Sequence, residues 1–326
     1  MITNKQKRQF EEDGFFIVKN AISEQQVKKS LKAYERMREK CESYKYIYFR
    51  KYADIALNDI YGIEHIFHPE IFEEDIFESI MQCNILEISQ ELMETEKVFL
   101  SRNRLHCTRK ISHSGYWHRD GTPSKVLEDI DEMLKKSQKE LIHIQASLVF
   151  YPEDGFYVVP GSHKFQEKGY IKTKDILGTK KLLGNEVKIP TNRGDLLVFN
   201  PFIIHRGTCV GQYKKQRSHI HLRFSRVSMA EHADRYKGDK KFFASPHVLN
   251  TANENWKNTF NYELIDPTHW YGEGIVQKKF NLFRVRSLLR LGLIAYNRIL
   301  YNLSRFYPGS QRNLENNSII KYPFLK

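Results

Sequence analysis

The sequence predicts a mainly β fold, a barrel or jelly roll with flanking helices. Beyond Glu96, short runs of β-forming residues are separated by Gly, Pro, Asn and Asp, a pattern typical of antiparallel β architectures rather than of alternating βαβ units. These runs are 98–108, 141–151, 156–159, 194–199 and 218–227. A hydrophobic fraction of 40% and an aromatic fraction of 13% supply enough apolar surface for a buried core, which excludes a disordered chain.

Helical patterns flank the predicted strands. Ser23 and Gln26 have the spacing of a capping box, so we expect a helix to begin at Glu24. Residues 70–94 again place apolar side chains at helical spacing. A third such pattern follows Thr122-Pro123, and it predicts an inserted helix near 123–140 that borders the mouth of the barrel.

The charge of the chain is concentrated at its C-terminal end. Of the net charge of +13, residues 274–326 carry +9 and residues 1–273 carry +4. We therefore expect one main domain over 1–273 and a basic amphipathic helical extension over 274–326. The extension would pack on the barrel or make peripheral contact with an anionic membrane or a partner. No nucleic-acid-binding motif accompanies the charge, so no nucleic acid partner is expected.

A first candidate for chemistry is the segment His118-Arg119-Asp120. In an extended strand, alternate side chains share a face, so His118 and Asp120 can converge on one ion while Arg119 points away. Two imidazoles and one carboxylate leave open positions on the metal, which suits an Fe(II) ion that must also bind a cosubstrate and O₂. The segment therefore requires a third ligand from elsewhere.

The third ligand is expected from the segment 194–207. Its Gly194-Asp195 turn leads into a buried strand that ends with His205, and strand ends present side chains to the open mouth of a barrel. His205 is therefore the predicted partner of His118 and Asp120.

Arg217 opens the last predicted strand. The turn-like link 207–215 predicts that this strand returns antiparallel beside the one that ends at His205. A dicarboxylate such as 2-oxoglutarate would chelate iron through its 1-carboxylate and 2-keto group, and its distal carboxylate would accept a bidentate bond from Arg217. In this register each later residue recedes from the metal, so Arg217 and not Arg223 is the expected anchor.

Other basic residues leave alternatives open. His219 and His221 share a strand face with Arg217 and would serve either as a second metal pair or as the polar lining of the barrel. Alternation on an earlier strand would direct three further side chains either to the pocket or to the surface: Arg102, Arg104 and His106.

Taken together, the motifs resemble the phytanoyl-CoA dioxygenase family of Fe(II)/2-oxoglutarate oxygenases. The matching pieces appear in the family's order over roughly residues 7–228. They are Asp13-Gly14-Phe15, Trp117-His118-Arg119-Asp120-Gly121, Val158-Val159-Pro160-Gly161-Ser162-His163-Lys164, Gly194-Asp195, His205-Arg206-Gly207 and Arg217. The resemblance implies a double-stranded β-helix, with His118, Asp120 and His205 as the Fe(II) ligands and Arg217 as the 2-oxoglutarate anchor.

The resemblance also implies an activity. We expect a dioxygenase that uses Fe(II), 2-oxoglutarate and O₂ to hydroxylate a small molecule, with succinate and CO₂ as co-products. Asp120 favours hydroxylation over halogenation, because related halogenases leave this ligand position to chloride. The basic residues favour an anionic, lipid-like or sugar-containing substrate. The alternative is a non-catalytic barrel that binds a ligand or a partner.

The cysteines and the opening residues bear on location. Cys41, Cys83, Cys107 and Cys209 are far apart and form no Cys-x-x-Cys pair, so we expect reduced thiols. Residues 1–15 contain no apolar run of the kind found in a signal peptide. These observations predict a cytoplasmic protein.

Overall fold

A computed structural model provides the three-dimensional structure of the chain. It describes residues 2–42, 63–64, 66–67, 71–108, 113–120, 138–164, 179, 182–209, 217–226, 248 and 251–259. The extension predicted over 274–326 and most of the insert predicted near 123–140 lie outside these residues. No helix within the described part of the chain is long and apolar enough to span a bilayer.

Ten strands and five helices follow one another along the described residues. The helices are α1 (Asn4–Asp13), α2 (Glu24–Glu42), α3 (Glu74–Gln82), α4 (Ile85–Met93) and α5 (Glu254–Thr259). The strands are β1 (Phe15–Val18), β2 (Ile63–Glu64), β3 (Val98–Thr108), β4 (His113–Ser114), β5 (His143–Val149), β6 (Glu153–Val159), β7 (Val187–Thr191), β8 (Leu196–Phe199), β9 (Ile204–Cys209) and β10 (Arg217–Arg226).

The strands form two antiparallel sheets. The larger sheet has the order β1-β8-β5-β10-β3-β2 and the smaller one the order β4-β9-β6-β7. Most neighbours in the two sheets are not consecutive strands of the chain, as expected of a jelly roll, in which the chain crosses repeatedly from one sheet to the other. This mostly antiparallel, jelly-roll-like architecture confirms the predicted fold class at that level.

The two faces of the larger sheet are packed differently. Its outer face joins the helices in one apolar core that includes Phe77, Leu100 and Phe224. Its inner face meets the smaller sheet through a second apolar cluster, to which Phe199 and Phe156 belong. The space between the sheets is therefore lined on one side by apolar residues.

The predicted helix starts agree in part with the structure. Helix α2 begins at Glu24, and the amide of Gln26 donates to the Ser23 hydroxyl at 3.1 Å, as the capping box predicts. The helical pattern over 70–94, in contrast, is divided into α3 and α4. The chain breaks at Asn84, whose φ of 53° is left-handed and incompatible with a continuous helix.

Candidate active site

The two predicted histidine ligands lie on paired backbone segments. The amide of His118 donates to the His205 carbonyl at 3.0 Å, and the amide of His205 donates to the His118 carbonyl at 2.9 Å. Next to this bridge, the amide of Gly115 donates to the Gly207 carbonyl at 2.9 Å. A Cβ on Gly115 would lie 2.3 Å from that carbonyl oxygen, so only glycine allows the close pairing that sets the two imidazoles side by side.

Asp120 completes a cluster that we call the metal triad, His118, Asp120 and His205. Its carboxylate oxygens lie 3.5 Å from Nε2 of His118 and 3.5 Å from Nε2 of His205. One potential ligand atom from each residue lies within 4.8 Å of the other two. The structure thus brings together the three residues that the sequence predicts as ligands.

Backbone carbonyls orient both imidazoles of the triad. Nδ1 of His118 lies 2.8 Å from the Tyr116 carbonyl oxygen, and Nδ1 of His205 lies 2.9 Å from the Ile203 carbonyl oxygen. Because a carbonyl only accepts, each Nδ1 carries the proton and each Nε2 keeps its lone pair for a metal. The donor set, two neutral imidazoles and one carboxylate with positions left open, fits Fe(II).

The protonation states of the triad suit a cation. Burial lowers the pKa of His118, and the neighbouring His205 acts in the same direction, while Asp120 opposes them. Burial alone would raise the pKa of the Asp120 carboxyl. Contact with His205, together with the nearby His118 and His221 imidazoles, nevertheless holds this pKa well below its usual range. The triad therefore offers an ionised carboxylate to a metal.

The residue that follows each histidine ligand points away from the triad and anchors its backbone. The Arg119 side chain is buried and donates to the carbonyl oxygens of Ser162 and Phe202. The Arg206 guanidinium stacks over the Trp117 ring, 4.5 Å from its centroid. The predicted direction of Arg119, away from the triad, thus agrees with the structure. The sequence did not indicate that its guanidinium anchors the backbone by hydrogen bonds to two carbonyls.

The turn Pro160–Lys164 connects the N-terminal segment to the histidine strand. The Gly161 amide donates to the Asp13 carbonyl at 2.9 Å, and the Ser162 hydroxyl accepts from the Ile204 amide at 2.8 Å. His163 of this turn is buried against Gly14 and is not part of the triad. The turn thus connects the N-terminal segment to the strand that contains His205 through backbone hydrogen bonds.

Two details of the predicted strand arrangement are wrong. Strand β8 ends at Phe199, and His205 lies near the start of β9 in the other sheet, because the turn at Asn200-Pro201 carries the chain across. Strand β10 pairs with β3 and β5 rather than with β9. The pattern of apolar residues marks strands but not the sheet that each one joins.

Basic side chains line the inner face of β3 and β10. We call this surface the basic wall; the register places its residues opposite one another in three pairs, Arg102 with Arg223, Arg104 with His221, and His106 with His219. The sequence left two alternatives for the side chains of β3, the pocket or the surface. Ring contacts of His221 with Phe199 and His106 support the interior placement. The wall thus faces the cavity that contains the triad.

The predicted register of β10 relative to the metal is also wrong. Among the described side chains of β10, His221 interacts electrostatically with Asp120 and contacts Phe199, which in turn contacts His205, although His221 comes four residues after Arg217. The strand therefore approaches the triad beyond Arg217 instead of receding from it. Arg217 itself opens β10 opposite Thr108, and its side chain lies outside the described atoms, so its role as the anchor stays a prediction.

Three wall histidines form a second cluster, His106, His219 and His221, which we call the histidine cluster. Their potential ligand atoms also lie within 4.8 Å of one another. Nδ1 of His219 lies 2.6 Å from a carboxylate oxygen of Glu153, a buried residue of β6 that sequence reasoning missed. The alternation of basic residues along β3 and β10 could have indicated the wall. It could not have indicated that Glu153, on β6, lies next to His219.

Two histidines and one carboxylate that converge inside a jelly-roll-like fold are typical of non-haem Fe(II) oxygenases. The chain belongs to the phytanoyl-CoA dioxygenase (PhyH) family, whose model matches residues 10–209. The family is Fe(II)/2-oxoglutarate-dependent, which confirms the resemblance and the cofactors predicted from the sequence. A search of curated proteins finds no match to the chain.

Several solved structures are similar to the chain at low sequence identity. EvdMO1 is similar with a TM-score of 0.50 and 16% identity over 68% of this chain and 50% of its own. EctD from S. alaskensis, solved with 2-oxoglutarate and 5-hydroxyectoine, has a TM-score of 0.48 and 14% identity over 70% of this chain and 77% of its own. HygX from Streptomyces hygroscopicus, solved with nickel and 2-oxoglutarate, has values of 0.46 and 12% over 70% and 88%.

Proposed function

We propose that the protein is an Fe(II)/2-oxoglutarate-dependent dioxygenase that hydroxylates a small molecule and releases succinate and CO₂. The observation that carries this proposal is the metal triad, in which two Nε2 atoms and one carboxylate lie within 4.8 Å of one another. The two sheets would form the double-stranded β-helix of the family. Hydroxylation rather than halogenation is favoured because Asp120 supplies the carboxylate ligand.

Different residues are proposed to bind the metal and the cosubstrate. His118, Asp120 and His205 would hold Fe(II), and the carbonyls of Tyr116 and Ile203, which accept from Nδ1, would leave both Nε2 atoms available as ligands. When bound, the iron supplies the activation of O₂ that couples decarboxylation of 2-oxoglutarate to oxidation of the substrate. Arg217 anchors the distal carboxylate of 2-oxoglutarate.

The substrate is proposed to be a small anionic molecule. The basic wall beside the triad favours a negatively charged group over a neutral, purely lipid-like one. We also propose a cytoplasmic location, in agreement with Cys83, which is buried and free. We further propose that residues 274–326 make peripheral contact with a membrane, because this segment carries a net charge of +9.

An anaerobic titration tests the metal and the cosubstrate together. Fe(II) and 2-oxoglutarate added to the full chain should give the weak visible charge-transfer band of a chelated 2-keto acid, and Asp120→Ala should abolish it. Admission of O₂ should then yield succinate. A wild-type chain that binds Fe(II) and 2-oxoglutarate but produces no succinate with any candidate substrate would support a non-catalytic binding protein instead.

The anchor is tested by comparing two arginines of β10. Loss of a charge-assisted bidentate pair costs about 2 to 4 kcal/mol, so Arg217→Ala should weaken 2-oxoglutarate binding by about 30- to 1000-fold while Fe(II) still binds. Arg223→Ala is the matched control and should leave 2-oxoglutarate binding unchanged. The opposite result would move the anchor to Arg223.

A further inference from the structure

One row of side chains crosses the inner face of the larger sheet beside the triad. Cα pairing places five residues side by side, contributed in order by β1, β8, β5, β10 and β3: Phe15, Phe199, Gln145, Arg223 and Arg102. The Phe199 ring lies 5.4 Å from the His205 ring, so the row passes next to a metal ligand. Along it the surface changes from aromatic to amide to guanidinium.

Gln145, at the centre of this row, is buried without the partners that an amide requires. Its side chain is 0% exposed, and within the described part of the chain neither Nε2 nor Oε1 has a hydrogen-bond partner. A buried amide left unsatisfied costs about 1 to 3 kcal/mol, so such groups are uncommon unless a ligand or water completes them. Because Gln145 shares the inner face with Phe199 and Arg223, its amide points to a ligand in the cavity.

The charge next to Gln145 selects the kind of ligand. Arg223 is buried, with Nε donating to the Ser101 hydroxyl at 3.1 Å, and Arg102 lies across from it on β3. Arg104, two residues after Arg102 on the same face of β3, adds a third guanidinium to the wall. A positive, partly dehydrated surface with an amide donor favours an oxyanion.

We propose that Gln145, Arg223 and Arg102 form a subsite for a carboxylate or phosphate group of the primary substrate. This inference rests on the proposed function and names the part of the substrate that the protein recognises. The distal carboxylate of 2-oxoglutarate is assigned elsewhere. Arg217 and Arg223 are six residues apart, roughly 20 Å along the strand, and they lie on opposite sides of His221, the residue next to the triad.

The subsite can be tested with inorganic sulfate as the probe. The full chain is loaded with Mn(II) and saturated with N-oxalylglycine, an unreactive analogue of 2-oxoglutarate, and sulfate is titrated calorimetrically at constant ionic strength. Wild type should bind one sulfate, and Arg223→Gln and Arg102→Gln should weaken this binding by at least about tenfold. Arg217→Gln, the matched control, should keep sulfate binding and lose affinity for N-oxalylglycine.

Gln145→Leu separates a binding role from a structural one. Replacing an unsatisfied amide by an apolar side chain of similar size should not lower stability, whereas sulfate binding should weaken by about threefold or more. Gln145→Glu places a negative charge in the subsite and should abolish sulfate binding. Both variants must still bind Mn(II) and N-oxalylglycine, which shows that they are folded.

The possible outcomes distinguish this inference from the proposed function. No sulfate binding to the saturated wild-type complex, or equal binding by wild type and the Gln145 variants, would overturn the subsite while leaving the metal and cosubstrate sites intact. Loss of N-oxalylglycine affinity in Arg223→Gln but not in Arg217→Gln would assign this row to the cosubstrate. Failure of wild type to bind metal or N-oxalylglycine would count against the proposed function instead.

Discussion

The metal triad and the histidine cluster are each a close group of three potential metal ligands, yet they differ in charge. Each brings three potential ligand atoms within 4.8 Å of one another. The triad contains an ionised carboxylate, and both of its imidazoles donate Nδ1–H to backbone carbonyls. The histidine cluster has no carboxylate among its three members, and Arg102 and Arg104 lie beside it.

Proximity of histidines therefore does not by itself define a metal site. A divalent cation in the triad gains a negative ligand, whereas one in the histidine cluster would meet two nearby guanidinium groups. His219 is in addition held by Glu153 at 2.6 Å. We therefore expect the full chain to bind a single equivalent of Fe(II) or Mn(II), at the triad.

The largest effect is expected from removing a triad ligand. Replacing His118, Asp120 or His205 by Ala leaves two donors and should lower metal affinity at least about 100-fold, with loss of 2-oxoglutarate turnover. Equilibrium dialysis with Mn(II) and a succinate assay would measure the two effects. A triad variant that still bound one tight equivalent would contradict this prediction, because the histidine cluster would then hold the metal.

Asp120→Glu is the conservative control for this prediction. It keeps the negative charge but moves it by one methylene, so it should retain weak metal binding and a little activity. Asp120→Gly should retain neither. Equal behaviour of the two variants would show that the charge of Asp120 is not what distinguishes the triad.

The next largest effect concerns the carboxylate that holds the histidine cluster. Glu153→Ala removes the acceptor of a buried 2.6 Å hydrogen bond from His219, and we expect a loss of about 3 kcal/mol in the free energy of unfolding, measured in urea. Glu153→Gln keeps an acceptor oxygen and should cost less. Metal affinity should stay unchanged in both, and a loss of a bound metal equivalent would contradict a purely structural role for this pair.

The two clusters also differ in how far the sequence could predict them. His118 and Asp120 are two residues apart on an extended segment, so strand periodicity alone places them together. The sequence indicated His205 at the end of a strand, whereas it lies near the start of β9, and only the order of the motifs linked it to the other two. The triad was therefore predictable, although the sheet that β9 joins was not, because a turn of four residues, 200–203, decides it.

The basic wall required information that periodicity does not contain. His106 meets His219 only because β3 pairs with β10 in one register, over a separation of more than a hundred residues. The role of Gln145 depends on the order of strands in the sheet, which places it between Phe199 and Arg223. The hairpin assumed between β9 and β10 led to the wrong direction for β10, since a link of turn-like residues can also cross between sheets.

A smaller effect is expected at His163, a third type of buried histidine, which contacts neither cluster. Its ring packs against Gly14, where a Cβ would lie 2.5 Å from Nδ1 of the ring, and burial lowers its pKa to about 4. The unfolded chain, with a histidine pKa of about 6.5, binds more protons below that pH. Stability is therefore complete above pH 6.5 and should fall by about 2 kcal/mol between pH 8 and pH 5.

Urea unfolding at several pH values would measure this loss in wild type and in His163→Gln. The variant is expected to be less stable at pH 8 because of altered packing, but its stability should change less between pH 8 and pH 5. An identical pH dependence in the two proteins would assign the acid sensitivity to other groups.

The smallest effect is expected at His221, the member of the histidine cluster closest to the triad. Burial holds its pKa well below the usual value, so the imidazole is neutral at pH 7 and adds no charge next to Asp120. His221→Gln should accordingly change Mn(II) affinity by less than about threefold and leave one bound equivalent. Two results would contradict this prediction: a loss of Mn(II) affinity above about tenfold, or the loss of a second Mn(II) equivalent that wild type binds. Either would show that His221 is a metal ligand and that the guanidinium groups beside the histidine cluster do not prevent metal binding there.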